Sequence, residues 1–290
     1  MNILELSDIL LVSIALLWLV AASVTDIKKR EVSNWLNFSL IAIAFSIRLL
    51  ASIATSQWNY FLYSLLIFII FFLMTNLFYY AKVFGGGDAK LLIALSVILA
   101  TQPFFVPSSI FKEPFILTFI INSCAAGAIY SIIFTIALVI KNKNKFSKEF
   151  KTLHKKSKIF RIIFIIISIA FLIPSFFYSW LLSFFFLFLI FPYLYIFVKA
   201  TENASMIKKV PSNKITEGDW LVEQVKVNSR IIKPSAHGLS LQDIKLLQKA
   251  KKQVLIKYGL PFVPVFLMAL IISILFGNVL FLIIKLILNI

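Results

Sequence analysis

The chain has 290 residues, of which 61% are hydrophobic and 14% are charged, and its formal net charge is +17. A soluble globular domain carries about 25% charged residues and a disordered chain has low hydrophobicity, so both classes are excluded. We therefore predict an all-α polytopic membrane protein with a small α+β cytoplasmic module. The single cysteine, Cys124, excludes an internal disulfide and a cysteine-based zinc site, and its apolar surroundings predict a small core residue.

Apolar stretches of about 20 residues, the length that crosses a bilayer as a helix, predict eight membrane spans. They lie at 8–24, 35–55, 60–81, 89–106, 115–140, 162–179, 180–198 and 259–284. The stretch 162–198 is too long for one straight helix, so we expect a hairpin that turns at Pro174 or within 175–179. Six or seven spans remain as alternative interpretations of this crowded pattern.

Basic residues are concentrated on one predicted side of the membrane. The segments 26–34, 82–90, 141–161 and 199–258 together hold 26 of the 29 lysines and arginines. Because short cytoplasmic loops carry the excess of Lys and Arg, we expect these segments in the cytoplasm and both termini outside. We expect a multi-pass protein of the cell membrane, in contact with the lipid bilayer. Its positive charge indicates the orientation of the chain in that membrane and not a nucleic-acid partner.

Arg48 is a charged residue inside the second predicted span. One interpretation is that its long side chain snorkels to the outer interface. The other is that it is the buried partner of a carboxylate.

The sequence predicts five regions. A first membrane domain of about five spans covers 1–140, a lysine-rich cytoplasmic loop covers 141–161, and a membrane hairpin covers 162–198. A cytoplasmic module covers 199–258 and a C-terminal membrane helix covers 259–290. The module is expected either to dock a substrate or to brace the last span.

Within the module, partial alternation over 219–227 indicates a strand, with Ile231 and Ile232 beginning its partner. Ser240 is expected to cap a helix over 241–253. The apolar stripe of that helix would be formed by Leu241, Ile244, Leu246 and Leu247.

Two acidic residues lie at predicted cytoplasmic ends of spans, Asp26 after the first and Asp88 before the fourth. Carboxylates at a membrane boundary are costly, which favours a functional role. Asp88 is also well placed to be only a helix cap. Asp26 fits that alternative poorly, because the dipole at a helix C-terminus disfavours an anion, although Asp26 can pair with the basic residues over 28–30.

Three consecutive glycines precede Asp88 and predict a flexible turn whose backbone can approach an extended peptide. The pattern of a phosphate-binding loop is not present. Two carboxylates brought close together share a proton, so one acts as a general base on water and the other as a general acid. The sequence leaves open which of Asp26 and Asp88 holds the proton.

The two acidic blocks resemble those of the type IV prepilin and preflagellin (archaellin) peptidase family, GxGD aspartic proteases, in its archaeal type. Asp26, followed by the basic residues over 28–30 and by Val32 and Asn34, is similar to the first block. Gly85-Gly86-Gly87-Asp88-Ala89-Lys90 is similar to the second, with Gly86 in the variable place. The resemblance implies that Asp26 and Asp88 are catalytic. It implies no metal and no cofactor. Residues that would shape the site or bind substrate are Gly85, Gly86, Gly87, Lys90, Lys28 and Asn34.

The resemblance implies an aspartic endopeptidase that removes short basic leader peptides from pilin-like or archaellin-like precursors at the cytoplasmic face. Bacterial members carry a cysteine-rich zinc-binding insertion and methylate the new N-terminus, and a chain with one cysteine does not match that part. The stretches 214–221, 238–247 and 257–264 resemble a C-terminal extension of some archaeal members. A transporter or channel that uses Asp26 and Asp88 as cation or proton sites is the alternative, although transporter sites usually lie at the bilayer midplane.

Overall fold

The computed structural model describes residues 2–81, 85–107, 114–227, 230–235 and 238–288. The chain divides into two compact units. The first unit combines Met1–Ser131 with Leu260–Ile290, and the second is Ile132–Gly259. The C-terminal helices therefore belong to the same unit as the N-terminal half of the chain.

The described residues form eleven α-helices and five β-strands. Short π-helical and 3₁₀ turns at Glu202–Met206 and Ser212–Lys214 flank β1. The elements are α1 (Ile3–Lys29), α2 (Asn34–Thr55), α3 (Trp58–Tyr80), α4 (Gly86–Ile98), α5 (Phe115–Lys141), α6 (Lys143–Lys156), α7 (Lys158–Ser175), α8 (Leu181–Thr201), β1 (Ile207–Pro211), β2 (Trp220–Leu221), β3 (Val225–Val227), β4 (Arg230–Ile232), α9 (Leu241–Lys249), β5 (Gln253–Lys257), α10 (Val263–Phe276) and α11 (Val279–Leu288).

Six of the described helices are long and apolar enough to cross a membrane, namely α1, α2, α3, α5, α7 and α8. The pair α10 and α11, bent by 45°, would be a seventh span. The prediction of a polytopic all-α membrane protein is confirmed. The predicted span over 89–106 is instead the 13-residue helix α4, which is about 20 Å long and too short to cross the hydrocarbon core.

Helix α4 lies at the centre of the first unit, packed against α1, α2 and α3. Its residues are buried on every face from Leu91 through Ile98. A helix that is apolar all round is either a membrane span or a buried core helix, and composition alone does not distinguish the two. This ambiguity is why the sequence predicts a span here.

Arg48 ends α4. Its side chain is fully buried, with 0% of its surface exposed. Its Nε donates to the carbonyl of Val97 at 2.7 Å, and Nη2 donates to the carbonyl of Ile98 at 2.8 Å and to Oγ1 of Thr101 at 3.1 Å. The last carbonyls of a helix have no partner within the helix, so the guanidinium satisfies them inside an apolar core. The interpretation that Arg48 snorkels to the interface is wrong.

Asp8 and Tyr60 complete the surroundings of Arg48. The guanidinium carbon lies 4.5 Å from the centre of the Tyr60 ring, in cation–π geometry. The Tyr60 hydroxyl donates to Oδ1 of Asp8 at 2.7 Å. The carboxylate expected as a buried partner is thus linked to Arg48 through an aromatic ring, while the direct hydrogen bonds of the guanidinium go to backbone carbonyls and Thr101.

Helix α10 packs on α1, and Asn122 of α5 forms hydrogen bonds at its C-terminal end. Nδ2 of Asn122 donates to Oγ of Ser273 and to the carbonyl of Gly277, both at 2.8 Å. Oδ1 of Asn122 accepts from the N–H of Val279 at 3.1 Å. One side chain therefore bridges the bend between α10 and α11. Cys124, two residues further along α5, is exposed, so the prediction that it is a core residue is wrong.

The second unit contains the predicted membrane hairpin. Helix α7 ends at Ser175 and α8 begins at Leu181, so the turn falls where the sequence predicts it. The segment predicted as a lysine-rich loop is helix α6 for most of its length. Phe146 explains the difference, because its ring packs on Phe197 of α8 with centroids 5.4 Å apart and anchors one face of α6.

The module in the second unit has a three-stranded antiparallel sheet in the order β1-β5-β2 and a separate hairpin of β3 and β4. In the hairpin Val225 pairs with Ile232, the partner that the sequence predicts. The single strand predicted over 219–227 is wrong, because it is divided into β2 and β3, which belong to different sheets. Ser240 caps α9 through a capping box with Asp243, also as predicted. However, α9 ends at Lys249, because Gln253–Lys257 forms the central strand, and Leu241 is exposed rather than part of the apolar stripe.

Candidate active site

Asp26 lies in the last turn of α1, and only 6% of its surface is exposed. Its Oδ2 accepts a hydrogen bond from the backbone N–H of Val263 at 2.9 Å. Val263 is the first residue of α10, whose initial amides have no partner within the helix. The carboxylate that is badly placed for the dipole of its own helix is therefore well placed for the dipole of another.

Asp88 is the third residue of α4, after the N-cap residue Gly85, and its side chain is half-buried. Burial and the charge of Asp26 raise the pKa of Asp88 to about 7, and a hydrogen bond from the Gly85 backbone acts in the opposite direction. The influence of Asp26 means that the two carboxyl groups lie within electrostatic reach of each other. The helix N-terminus also favours an anion at Asp88, so the capping role is compatible with a catalytic one.

The glycine block is more ordered than the sequence predicts. Gly85 is extended, with φ −67° and ψ 154°, but Gly86 and Gly87 already form the first turn of α4. A Cβ placed on Gly87 would lie 3.5 Å from Val32, a residue of the first block. The prediction of a flexible turn is therefore wrong for Gly86 and Gly87, and at Gly87 an added Cβ would make ordinary van der Waals contact with Val32.

Lys90 and Asn34 connect the two blocks directly. The Lys90 Nζ donates to Oδ1 of Asn34 at 2.7 Å, and both side chains are exposed. Lys28 is exposed in the last turn of α1. Within the described part of the chain, neither lysine forms an ion pair with Asp26 or Asp88.

Sequence reasoning missed three residues around Asp26. Val263 acts through its backbone, which carries no signature in the sequence beyond the general resemblance of 257–264 to an archaeal extension. Tyr130 of α5 lies within electrostatic reach of Asp26. Gly127, one turn before it, contacts the start of α10, where an added Cβ would lie 3.1 Å from Cζ of Phe262. Among the described residues no group of three His, Cys, Asp or Glu side chains is arranged to hold a metal ion.

Both acidic blocks lie in a segment of the chain that is similar to known proteins. The sequence profile of the type IV leader peptidase family matches residues 13–132. The prepilin peptidase EppA of Methanothermobacter thermautotrophicus is 28% identical over 156 residues, which are 51% of this chain and 40% of that protein. The preflagellin peptidase of Methanococcus voltae is 29% identical over 133 residues, which are 45% of this chain and 57% of that protein.

The chain thus spans about half the length of the curated relatives it matches, 40% of one and 57% of the other. No solved structure matches it. The matched segment contains both acidic blocks and helices α2, α3 and α4 in full. Residues 13–132 are thus similar to the type IV leader peptidase family.

Proposed function

We propose that the chain is a membrane-embedded aspartic endopeptidase with Asp26 and Asp88 as its catalytic pair. The observation that carries the proposal is the convergence of two carboxyl groups from different helices, one buried and one half-buried, inside a segment matched to a peptidase family. Such a pair titrates as a unit and shares one proton. It supplies an acid and a base together without a metal ion.

The surroundings of the two carboxyl groups favour one division of roles. Asp26 accepts an N–H hydrogen bond at the positive end of α10, an arrangement that suits a carboxylate and hence a general base. Asp88, whose pKa is raised to about 7, suits the protonated partner and hence the general acid. Asp26 would take a proton from water while the water oxygen bonds to the scissile carbonyl carbon. Asp88 would give its proton to the carbonyl oxygen.

Collapse of the tetrahedral intermediate completes the cycle. The C–N bond breaks, the proton held by Asp26 passes to the leaving amine, and the hydroxyl proton of the intermediate returns to Asp88. Water is the only co-reactant. The two carboxyl groups end in their starting states, so each turnover leaves the enzyme unchanged.

The substrates we propose are pilin-like or archaellin-like precursors, because the matched relatives are named prepilin peptidase and preflagellin peptidase. Their short basic leader would be cut at the cytoplasmic face, next to a hydrophobic helix that stays in the bilayer. The excess of basic residues in segments 26–34 and 82–90 supports this side. Gly85, at the start of the second block, would lie beside the extended scissile segment.

The test uses the purified full chain in lipid vesicles with a synthetic precursor, and cleavage is followed by mass spectrometry. Asp26→Asn and Asp88→Asn should each lower the cleavage rate by at least about a hundredfold, since each removes an acid or base. Glu31→Gln, which changes an exposed carboxylate between α1 and α2, is the matched control and should cleave at the wild-type rate. Normal cleavage by either aspartate variant would refute the proposal. Ion flux without cleavage would favour the transporter alternative.

A further inference from the structure

We propose that the first turn of α10 is part of the active site. Val263 is a positioning residue that orients Asp26. Gly127 is the residue of α5 whose missing side chain leaves space for this turn. The proposal rests on the proposed function and adds to it a segment that lies outside the residues matched to the family. The match ends at residue 132, whereas α10 begins at Val263, after the whole second unit.

The backbone of Val263 contacts the side chain of Asp26 directly. The N–H donor lies 2.9 Å from Oδ2 and the hydrogen bond is buried. The neighbouring amide, that of Phe262, faces the same carboxylate. An aspartate side chain has several rotamers available, so a fixed donor at a helix N-terminus selects one of them. Because a general base must lie within hydrogen-bond reach of its water, that selection bears on catalysis.

Close packing between α5 and the first turn of α10 positions the N–H of Val263. A Cβ added to Gly127 would lie 3.1 Å and 3.3 Å from two atoms of the Phe262 ring and 3.5 Å from Cγ1 of Val265. Both residues belong to or adjoin the first turn of α10. Glycine at this position therefore lets α5 approach that turn closely, and a large side chain would displace the Phe262 ring and with it the amide of Val263.

Helix α10 is also anchored at its C-terminal end. Asn122 of α5 donates to Ser273 and to the carbonyl of Gly277, where α10 ends. Helix α5 thus contacts α10 at both ends, and α1 packs along its length. A helix fixed at two points cannot slide by a fraction of a turn. The N–H that meets Asp26 is consequently held at a constant position relative to α1.

The first experiment removes the donor while retaining the helix. Val263→Pro deletes the N–H of the first helical residue, and Val263→Ala is the control that keeps it. Because a proline at 263 also disfavours the αR backbone of Phe262, kcat is compared at a temperature where both variants are folded. We expect kcat of Val263→Pro to fall about tenfold to a hundredfold relative to Val263→Ala, since hydrogen bonds to charged groups are worth this much. KM should be equal in the two variants, and Val263→Pro should have a somewhat lower melting temperature in detergent because of the strain at Phe262. Equal kcat values would overturn the inference.

The second experiment does not depend on proline. Gly127→Leu should lower kcat without changing KM, and the addition of Phe262→Ala should restore at least part of the loss by making room for the leucine. Loss of kcat in parallel with loss of folded protein would overturn the inference, because it would show a structural role only. If Asp26→Asn and Asp88→Asn retain activity, the proposed function itself has failed. If they are inactive while Val263→Pro matches Val263→Ala, only the inference on α10 has failed.

Discussion

The Lys90 ammonium donates a hydrogen bond to Oδ1 of Asn34 at 2.7 Å and joins two sequence blocks that are 56 positions apart. Asn34 is the first residue of α2, and Lys90 lies in the first turns of α4, two residues after Asp88. The contact connects the start of a spanning helix to the helix that carries the second carboxyl group. It therefore bears on how α4 is oriented at its N-terminus.

A double-mutant cycle on Asn34 and Lys90 should detect this coupling. Because both side chains are exposed, Asn34→Ala and Lys90→Ala should each change the free energy of unfolding by less than about 1 kcal/mol. Each should lower the cleavage rate about two- to fivefold, and the double variant should be no worse than the poorer single variant. Fully additive losses of rate would show that the two side chains act independently.

The stability of the protein should depend on pH through Asp88. Burial and the charge of Asp26 raise the pKa of Asp88 from its ordinary value of 3.8 to about 7 in the folded chain, so the folded state holds the proton over this range while the unfolded state loses it. Stability should therefore be greatest below pH about 4 and fall as the pH rises to about 7. Asp88→Asn should remove this contribution, so its melting temperature should exceed that of the wild type more at pH 8 than at pH 4. Parallel melting curves across this range would contradict the shift.

The cleavage rate should also fall on the alkaline side. If Asp88 acts as the protonated general acid with a pKa of about 7, kcat should decline as the pH rises above about 7. The measurement is a pH profile of single-turnover cleavage in vesicles at constant ionic strength. An unchanged rate up to pH 9 would reverse the assignment of acid and base.

Arg48 should matter for stability and, through α4, for activity. Arg48→Met keeps much of the side-chain length but leaves the carbonyls of Val97 and Ile98 without a donor, which should cost about 2–4 kcal/mol of unfolding free energy. Arg48→Lys should recover only part of this, because one ammonium does not reproduce the planar fork. The matched control is Lys285→Met, an exposed residue of α11, and chemical denaturation in detergent is the measurement. Equal midpoints for Arg48→Met and the control would contradict this role.

Gly277 should tolerate no side chain at the end of α10. Its φ of 65° and ψ of −140° are accessible almost only to glycine, and a Cβ there would lie 3.1 Å from the carbonyl oxygen of Pro107. Gly277→Ala should therefore destabilise the protein by about 1–3 kcal/mol. Gly259→Ala is the control, because no heavy atom lies within 4 Å of its Cβ position, and its effect should stay within about 0.5 kcal/mol. Similar melting temperatures for the two variants would show that the bend relaxes.

Local patterns predicted much of the fold because their physical causes are local. Hydropathy located six spanning helices, and the hairpin over 162–198 turns within five residues after Ser175. Alternation located β3, and the capping signal of Ser240 located α9. The lysine-rich helix α6 was missed because its stability comes from aromatic contacts with α8, such as the pair Phe146 and Phe197, which are distant in sequence.

The sequence by itself determined the membrane class, most of the spans and the two acidic blocks, since length, hydropathy and residue type are properties of the chain alone. Only the tertiary structure decided that α4 is a short buried helix capped by the Arg48 side chain, and that Asp26 accepts a hydrogen bond from the N-terminus of α10. The reason is that both contacts are made to backbone groups. Every residue carries the same N–H and C=O, so their partners are selected by packing and leave no pattern in the sequence.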